Sequence, residues 1–123
     1  MTLNPTLNYL LEKSSIALLA FGGELTTSSM YLAGAGGCSG DGYPMPLGGE
    51  ILGMRAWDGT NDNDKSDSIP VEPGDRLSVY AEHSGSEYSL ILRINGVDTS
   101  IAVSGMQENS TVYACAYFSL QRS

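Results

Sequence analysis

The sequence is poor in histidine and cysteine, and these shortages exclude several kinds of chemistry. His83 is the only histidine among 123 residues, so a histidine metal pair or proton relay has no second imidazole. No Gly-x-Ser-x-Gly motif marks a serine nucleophile. We therefore expect neither enzymatic activity nor a bound cofactor, and we interpret His83, which stands beside a Ser-Gly turn, as a solvated turn residue.

The two cysteines, Cys38 and Cys115, lie far apart and lack the spacing of a zinc site. A chain of this size with a hydrophobic core does not need a disulfide bond to be stable. We expect two free thiols, with a disulfide between them as the alternative.

Basic residues are also scarce: 6 Lys and Arg against 14 Asp and Glu give a net charge of −8. Such a chain repels phosphate, so we expect no direct binding to nucleic acid or to an anionic membrane. No apolar run reaches the roughly 18 residues of a membrane span. The first residues lack the basic and apolar regions of a signal peptide, so export by that route is not expected.

Alternating apolar and polar residues in the second half of the sequence predict strands with one face in a core. Residues 76–82 and 111–120 follow this pattern closely. Residues 90–103 predict a hairpin, because Asn95 and Gly96 tolerate the positive φ angles of a type I′ turn.

The first half predicts further strands. Residues 15–21 are continuously apolar, as in a strand buried on both faces, and the Gly-Gly pair at 22–23 is expected to end it. Residues 50–57 predict a strand in which Gly53 marks a bulge or a close approach. Residues 58–67 are polar throughout and predict a loop.

These segments divide the chain into an arm and one domain. Residues 1–13 contain Pro5 and show no helical period, so we expect an extended N-terminal arm. Residues 14–123 predict an all-β domain, an antiparallel jelly roll or β-sandwich of about eight short strands, because turn signals recur about every 8–12 residues. The arm carries apolar side chains that we expect to anchor it to a partner: Leu3, Leu7, Tyr9 and Leu10.

Outward-facing tyrosines are the candidate contacts between subunits. The alternation directs Tyr80, Tyr113 and Tyr117 away from the core, and a row of aromatic residues on the outside of strands is typical of an interface. The alternative is that this side of the last strand is the buried one, because both of its sides are fairly apolar.

Two predicted loops are candidate ligand sites. Residues 58–67 offer the carboxylates of Asp58, Asp62, Asp64 and Asp67, which suit Ca²⁺, but lack the Glu that closes an EF-hand. We expect a solvated loop without metal, with a weak Ca²⁺ site as the alternative. The Gly-rich residues 34–42 predict a flexible surface loop, since no helix follows to complete a phosphate cradle.

Four segments together resemble a known family. They are Phe-Gly-Gly-Glu-Leu-Thr-Thr-Ser-Ser-Met-Tyr-Leu (21–32), Gly-Tyr-Pro-Met-Pro (42–46), Pro-Gly-Asp-Arg-Leu-Ser-Val (73–79) and Leu-Arg-Ile-Asn-Gly (92–96). Over about residues 15–120 the chain resembles the small jelly rolls related to tumour necrosis factor and C1q head domains, as found in bacterial surface proteins and bacteriophage virions.

The resemblance implies a protein that acts by binding, as a homotrimer. The collagen-like Gly-x-y repeats of the stalked members are missing and a short arm takes their place, so the chain is most similar to phage capsid decoration (cement) proteins. Such a protein is made in the host cytoplasm and binds the major capsid protein on the exterior of the virion. The alternative is a receptor- or glycan-binding head of a phage fibre or bacterial surface protein, using the loops 34–42 and 58–67. An enzyme of the cupin kind would need several histidines.

Overall fold

The structure, a computed structural model, describes residues 16–25, 30–32, 43–45 and 47–120, and these ranges form nine β-strands and no helix. The strands are β1 (Ile16–Glu24), β2 (Met30–Leu32), β3 (Tyr43–Pro44), β4 (Gly49–Trp57), β5 (Asp62–Val71), β6 (Arg76–Ser84), β7 (Glu87–Ile94), β8 (Val97–Gln107) and β9 (Thr111–Leu120). Within the part of the chain described, no helix is long and apolar enough to span a membrane.

The strands form two antiparallel sheets. The first sheet has the order β1-β9-β4-β5, and the second has the order β2-β6-β7-β8, with β3 also paired to β6. One hydrophobic core lies between their inner faces. Its largest fully buried side chains are Tyr88, Phe21, Leu25, Ile51, Met54, Leu77, Leu90, Leu92, Ile101 and Met106. The predicted all-β, antiparallel sandwich is confirmed, while the arm (residues 1–13) lies outside the described residues.

The meander of β6, β7 and β8 follows the predicted alternation. The apolar side chains of β6 and the first half of β7 are buried, and their polar neighbours face outward. The β7–β8 turn has φ 54° at Asn95 and φ 80° at Gly96, which confirms the predicted hairpin. The Asn95 N–H donates to the Arg76 carbonyl (2.8 Å), and the Arg76 N–H donates to Asn95 Oδ1 (2.9 Å), so this turn also fixes the start of β6.

The expectation that the Gly-Gly pair ends the first strand is wrong. β1 continues to Glu24, and Gly22 and Gly23 keep their places in the pairing with β9, opposite Tyr113 and Val112. Pairing with β9 continues because a glycine supplies the same backbone N–H and C=O groups as any other residue. The side chains of residues 16–20 are not described, so the prediction that this strand is buried on both faces stays untested.

The prediction of a loop over residues 58–67 is wrong from Asp62 onward. Only residues 58–61 turn the chain, and Asp58 shapes this turn by accepting hydrogen bonds at Oδ1 from the backbone N–H groups of Thr60 (2.8 Å) and Asn61 (2.7 Å). β5 then pairs with β4 as an edge strand. An edge strand next to water needs no apolar face. The sequence of β5 therefore lacks the apolar alternation that would distinguish it from a loop.

Polar contacts join the edge strands of the two sheets. Asn63 Nδ2 on β5 donates to the Ser104 carbonyl on β8 (2.8 Å), and the Ser100 hydroxyl on β8 donates to Asp67 Oδ2 on β5. These two hydrogen bonds link the two sheets along this side of the sandwich.

Candidate interaction face on the first sheet

The outer face of the first sheet carries two of the three predicted interface tyrosines. On β9, Tyr113, Cys115 and Tyr117 are half-buried on the outer side, while the alternate residues Val112, Ala114, Ala116 and Phe118 are buried in the core. This confirms the predicted direction of Tyr113 and Tyr117 and excludes the alternative that their side of β9 is the core side.

The strand register brings residues of β9, β4 and β5 together in three rows. Each row takes one residue from each strand, in the order β9, β4, β5. The rows are Tyr113–Trp57–Asp62, Cys115–Arg55–Asp64 and Tyr117–Gly53–Ser66. Residues that are far apart in the sequence therefore share one continuous surface.

Four of these residues form an ordered group, which we call the Trp57 cluster: Arg55, Trp57, Asp62 and Tyr113. The rings of Trp57 and Tyr113 are stacked, with centroids 5.9 Å apart and an interplanar angle of 23°. The Arg55 guanidinium carbon lies 5.0 Å from the centroid of the Trp57 ring, a cation–π distance. Arg55 also bonds both Asp62 oxygens, Nε to Oδ1 at 2.9 Å and an Nη to Oδ2 at 2.6 Å.

This bidentate pair affects the ionisation of both partners. The hydrogen bond from Arg55 lowers the pKa of Asp62, and the same bond raises the pKa of Arg55. Both groups are therefore charged at neutral pH, and the guanidinium stays fixed beside the indole. The cluster presents its aromatic and charged groups in a set geometry.

Tyr117 spans the face across Gly53. Its hydroxyl donates to Asp64 Oδ1 (2.7 Å) and lies 3.4 Å from the Ser66 hydroxyl. The contact with Ser66 lowers the pKa of Tyr117, but burial and the Asp64 carboxylate outweigh it and raise the pKa. The register of β4 shifts between Ile51 and Gly53, which confirms the predicted irregularity at Gly53.

Cys115 lies between the two tyrosines, as a free thiol. Burial raises the pKa of this thiol, so little thiolate forms at neutral pH. Cys38 lies outside the described residues. The part of the face around Cys115 offers a half-buried side chain of low reactivity.

Tyr80 lies on the other side of the molecule, on the outer face of the second sheet. There the guanidinium carbon of Arg93 lies 4.1 Å from the centroid of the Tyr80 ring, and Arg93 Nε bonds Asp98 Oδ1 at 2.5 Å. The structure therefore does not bring Tyr80 together with Tyr113 and Tyr117. A contact made by one outer face alone therefore does not contain all three tyrosines.

The four candidate Ca²⁺ carboxylates, Asp58, Asp62, Asp64 and Asp67, are spread along the β4–β5 turn and β5, and each accepts hydrogen bonds from the protein. Asp62 and Asp64 bond to Arg55 and Tyr117, as described. Asp67 accepts from the Ser100 hydroxyl and the Ser68 N–H, and these two bonds lower its pKa. In the ranges that the structure covers, no group of three or more His, Cys, Asp or Glu could hold a metal ion.

Asp58 connects the β4–β5 turn to the end of the second sheet. In addition to its two bonds within the turn, its Oδ2 accepts from the Gln107 N–H (3.2 Å) and the Ser110 hydroxyl (3.5 Å). Partial burial raises the pKa of this carboxyl, but the bonds from the backbone N–H groups outweigh burial and lower it. Its geometry is that of a structural hydrogen-bond acceptor.

His83 is exposed near the end of β6, where the sequence places it beside a turn. Its ring centroid lies 5.1 Å from that of Tyr88, at an angle of 55°. The contact is a tilted aromatic pair.

Sequence reasoning missed Arg55 and the pairing that positions Trp57. The signal was present in the alternation of β4: beyond Gly53, Met54 and Ala56 are buried and Arg55 and Trp57 point outward. The anchors proposed for the arm, Leu3, Leu7, Tyr9 and Leu10, lie outside the described residues.

Comparison of the chain with family models, with curated proteins and with solved structures finds no match.

Proposed function

We propose that this protein is a structural virion protein, a decoration subunit that binds the exterior of a viral capsid and stabilises the shell as an oligomer. The Trp57 cluster supports this proposal most directly. Trp, Tyr and Arg are the residues that contribute most to the energy of protein–protein contacts, and here they lie together on the outside of a sheet. The trimeric state and the virion location follow from the resemblance.

Hydrogen bonds within this outer face favour binding over a merely solvated surface. Immobilising a flexible side chain at an interface costs about 0.5–1.5 kcal/mol. Arg55 is already held by Asp62, and Tyr117 by Asp64, before any partner arrives. Part of the entropic cost of binding is thus met during folding.

The arm and the net charge complete the proposal. The apolar residues of the arm, residues 1–13, are assigned to the major capsid protein, because extended segments dock through backbone hydrogen bonds and alternate side chains. A net charge of −8 favours a partner surface with basic residues.

Cosedimentation with capsids of the virus that encodes the chain tests this function. Purified full-length protein is mixed with shells lacking it, and the shells are pelleted and inspected by electron microscopy. We expect the protein to pellet at a stoichiometry set by the shell symmetry. A protein that stays in the supernatant at micromolar concentration contradicts the proposal.

A variant lacking residues 1–13 isolates the role of the arm. We expect it to keep the oligomeric mass of the full chain and to lose shell attachment. Unchanged attachment removes the arm from the mechanism, and the capsid contact must then lie on the sandwich.

A further inference from the structure

We propose that the outer face of the first sheet binds a basic protein surface, whose arginine and lysine side chains contact the Trp57 cluster and the carboxylates around it. This deepens the proposed function and rests on it for the identity of the partner, because it adds a second contact with the capsid to the one assigned to the arm. The binding itself is a property of this chain and can be measured without a capsid.

The outer face of the first sheet carries an excess of negative charge. Its described residues include one cation, Arg55, and four exposed carboxylates, Glu24, Glu50, Asp62 and Asp64, which give a formal charge of −3. Arg55 is already paired with Asp62. The charge that remains repels an identical face and attracts a cationic one.

Two of the unpaired carboxylates flank the aromatic rings of the Trp57 cluster. Glu24 belongs to the row of β1 and β9 on one side of the row that holds Trp57 and Tyr113, and Asp64 belongs to the row on the other side. Successive rows on one face of a sheet lie about 7 Å apart along the strands. Both rings are half-buried, so part of each stays accessible. A partner cation that lies over a ring is therefore close to a carboxylate as well, and the two attractions act together.

Asp64 is held in place for such a contact. Its Oδ1 accepts the hydrogen bond from the Tyr117 hydroxyl (2.7 Å), while its side chain remains exposed. Arg55 directs its two hydrogen bonds to Asp62 and not to Asp64. The charge of Asp64 is thus available to a partner.

The charges on the outer face of the second sheet are closer to balance. In the part of the chain that the structure describes, this face has two cations, Arg76 and Arg93, and three exposed carboxylates, Glu82, Glu87 and Asp98, which give a formal charge of −1. Arg76 is exposed there and repels a cationic partner. The first sheet is therefore the face assigned to the basic surface, and the second sheet offers matched control positions.

Fluorescence of Trp57 measures the binding directly, because Trp57 is the only tryptophan of the chain and lies on this face. The probe is a synthetic peptide of about twelve residues in which arginine and lysine alternate with glycine and serine, and the control peptide has glutamate in place of each cation. We expect the basic peptide to change the emission of Trp57 with saturation, about tenfold more weakly in 0.5 M than in 0.05 M NaCl, and the acidic peptide to have no effect. An emission that the basic peptide leaves unchanged overturns the proposal.

Two double variants with the same net charge locate the binding. Glu24→Gln with Asp64→Asn acts on the first sheet, and Glu82→Gln with Glu87→Gln acts on the second, and each pair changes the net charge from −8 to −6. Long-range attraction to the peptide falls equally in both. We expect the first pair to weaken peptide binding by about fivefold or more and the second pair by less than about twofold. Equal effects of the two pairs would assign the binding to the overall charge and contradict the proposal.

Two single variants complete the test. Glu24→Gln keeps the Tyr117–Asp64 bond, so it is expected to fold even if the double variant does not, and it should weaken peptide binding by about twofold. Tyr113→Leu keeps every charge on the face and removes one aromatic ring, and it should weaken binding by about threefold. Unchanged binding in both variants contradicts the contact with the Trp57 cluster.

Cosedimentation of the first double variant with shells separates this proposal from the capsid function. A protein that binds the basic peptide and does not attach to shells contradicts the capsid function and leaves the basic contact standing. Attachment to shells by the unmodified protein and by the double variant alike, together with no binding of the peptide, contradicts the basic contact alone.

Discussion

The hydroxyl of Tyr117 occupies the space that a side chain at Gly53 would need. A Cβ atom at Gly53 would lie 2.4 Å from Tyr117 Oη and 2.6 Å from the backbone carbonyl oxygen of Lys65. Because glycine leaves this space free, Tyr117 on β9 crosses β4 and bonds Asp64 on β5. One side chain thus connects three strands of the first sheet.

Replacing Gly53 by alanine is therefore expected to destabilise the fold by about 1–3 kcal/mol, the usual effect of forcing extra volume into a filled site. Truncating Tyr117 to alanine in the same chain should not restore the loss, because the Lys65 carbonyl belongs to the backbone and remains in place. Urea unfolding monitored by Trp57 fluorescence measures the change. Gly59→Ala is the control, since nothing lies within 4 Å of its added methyl group; an equal loss there would contradict the steric explanation.

Asp58 predicts a specific dependence of stability on pH. Its folded-state pKa is lowered from 3.8, so its contribution to stability is present above that value and is lost as the pH falls through the folded pKa. Asp58→Asn removes the charge and keeps one acceptor oxygen. At pH 7 we expect this variant to be less stable by about 1–2 kcal/mol, since hydrogen bonds to a charged group are lost.

The same comparison at lower pH checks the cause. As the unmodified carboxyl becomes protonated, the difference in free energy of unfolding between the two proteins should shrink towards pH 3. A difference that stays constant from pH 7 to pH 3 would assign the effect to packing instead of charge.

The polar sequence of β5 is expected to prevent the exposed edge of the first sheet from pairing with the strands of another molecule. Lys65 pairs in register with the buried Met54, yet it is exposed, which is the arrangement of an inward-pointing charge on an edge strand. Lys65→Val should leave the unfolding midpoint nearly unchanged and should raise light scattering at high concentration. Lys65→Glu keeps a charge and should not aggregate; scattering that rises equally in both variants would show that the lysine itself, not its charge, matters.

Local patterns were sufficient to predict the meander and the last strand. In β6, β7 and β9 the apolar side chains of one side are buried, and apart from Ser78 the residues of the other side are not, so the alternation in the sequence predicts which side faces the core. The same two-residue alternation in β9 predicts that Tyr113 and Tyr117 point away from the core. β5 was missed because an edge strand with polar residues on both sides has no periodic signal.

The arrangement of the candidate face depends on information that is not local. The contact between Arg55 and Asp62 requires the β4–β5 register and the irregularity at Gly53, which shifts the phase of β4. The separation of Tyr80 from Tyr113 depends on which sheet each strand joins. Pairing order is a property of the whole chain, so no single segment predicts it.

Two tyrosine hydroxyls provide a paired test of the hydrogen bonds. Tyr88 is completely buried and its hydroxyl has no hydrogen-bond partner within the described part of the chain, and burial raises its pKa. An unsatisfied buried polar group costs about 1–3 kcal/mol, so Tyr88→Phe should stabilise the protein, by about 1 kcal/mol. The ring keeps its contact with His83.

Tyr117→Phe removes a hydroxyl that bonds Asp64, and this variant should lose about 1 kcal/mol. Urea midpoints measured at a constant m-value give both changes. The two changes in the free energy of unfolding should have opposite signs. Tyr88→Phe removes a buried hydroxyl that has no partner, whereas Tyr117→Phe breaks a hydrogen bond to a carboxylate. A midpoint that Tyr88→Phe also lowers would contradict this explanation, because it would mean that the Tyr88 hydroxyl is hydrogen-bonded in solution.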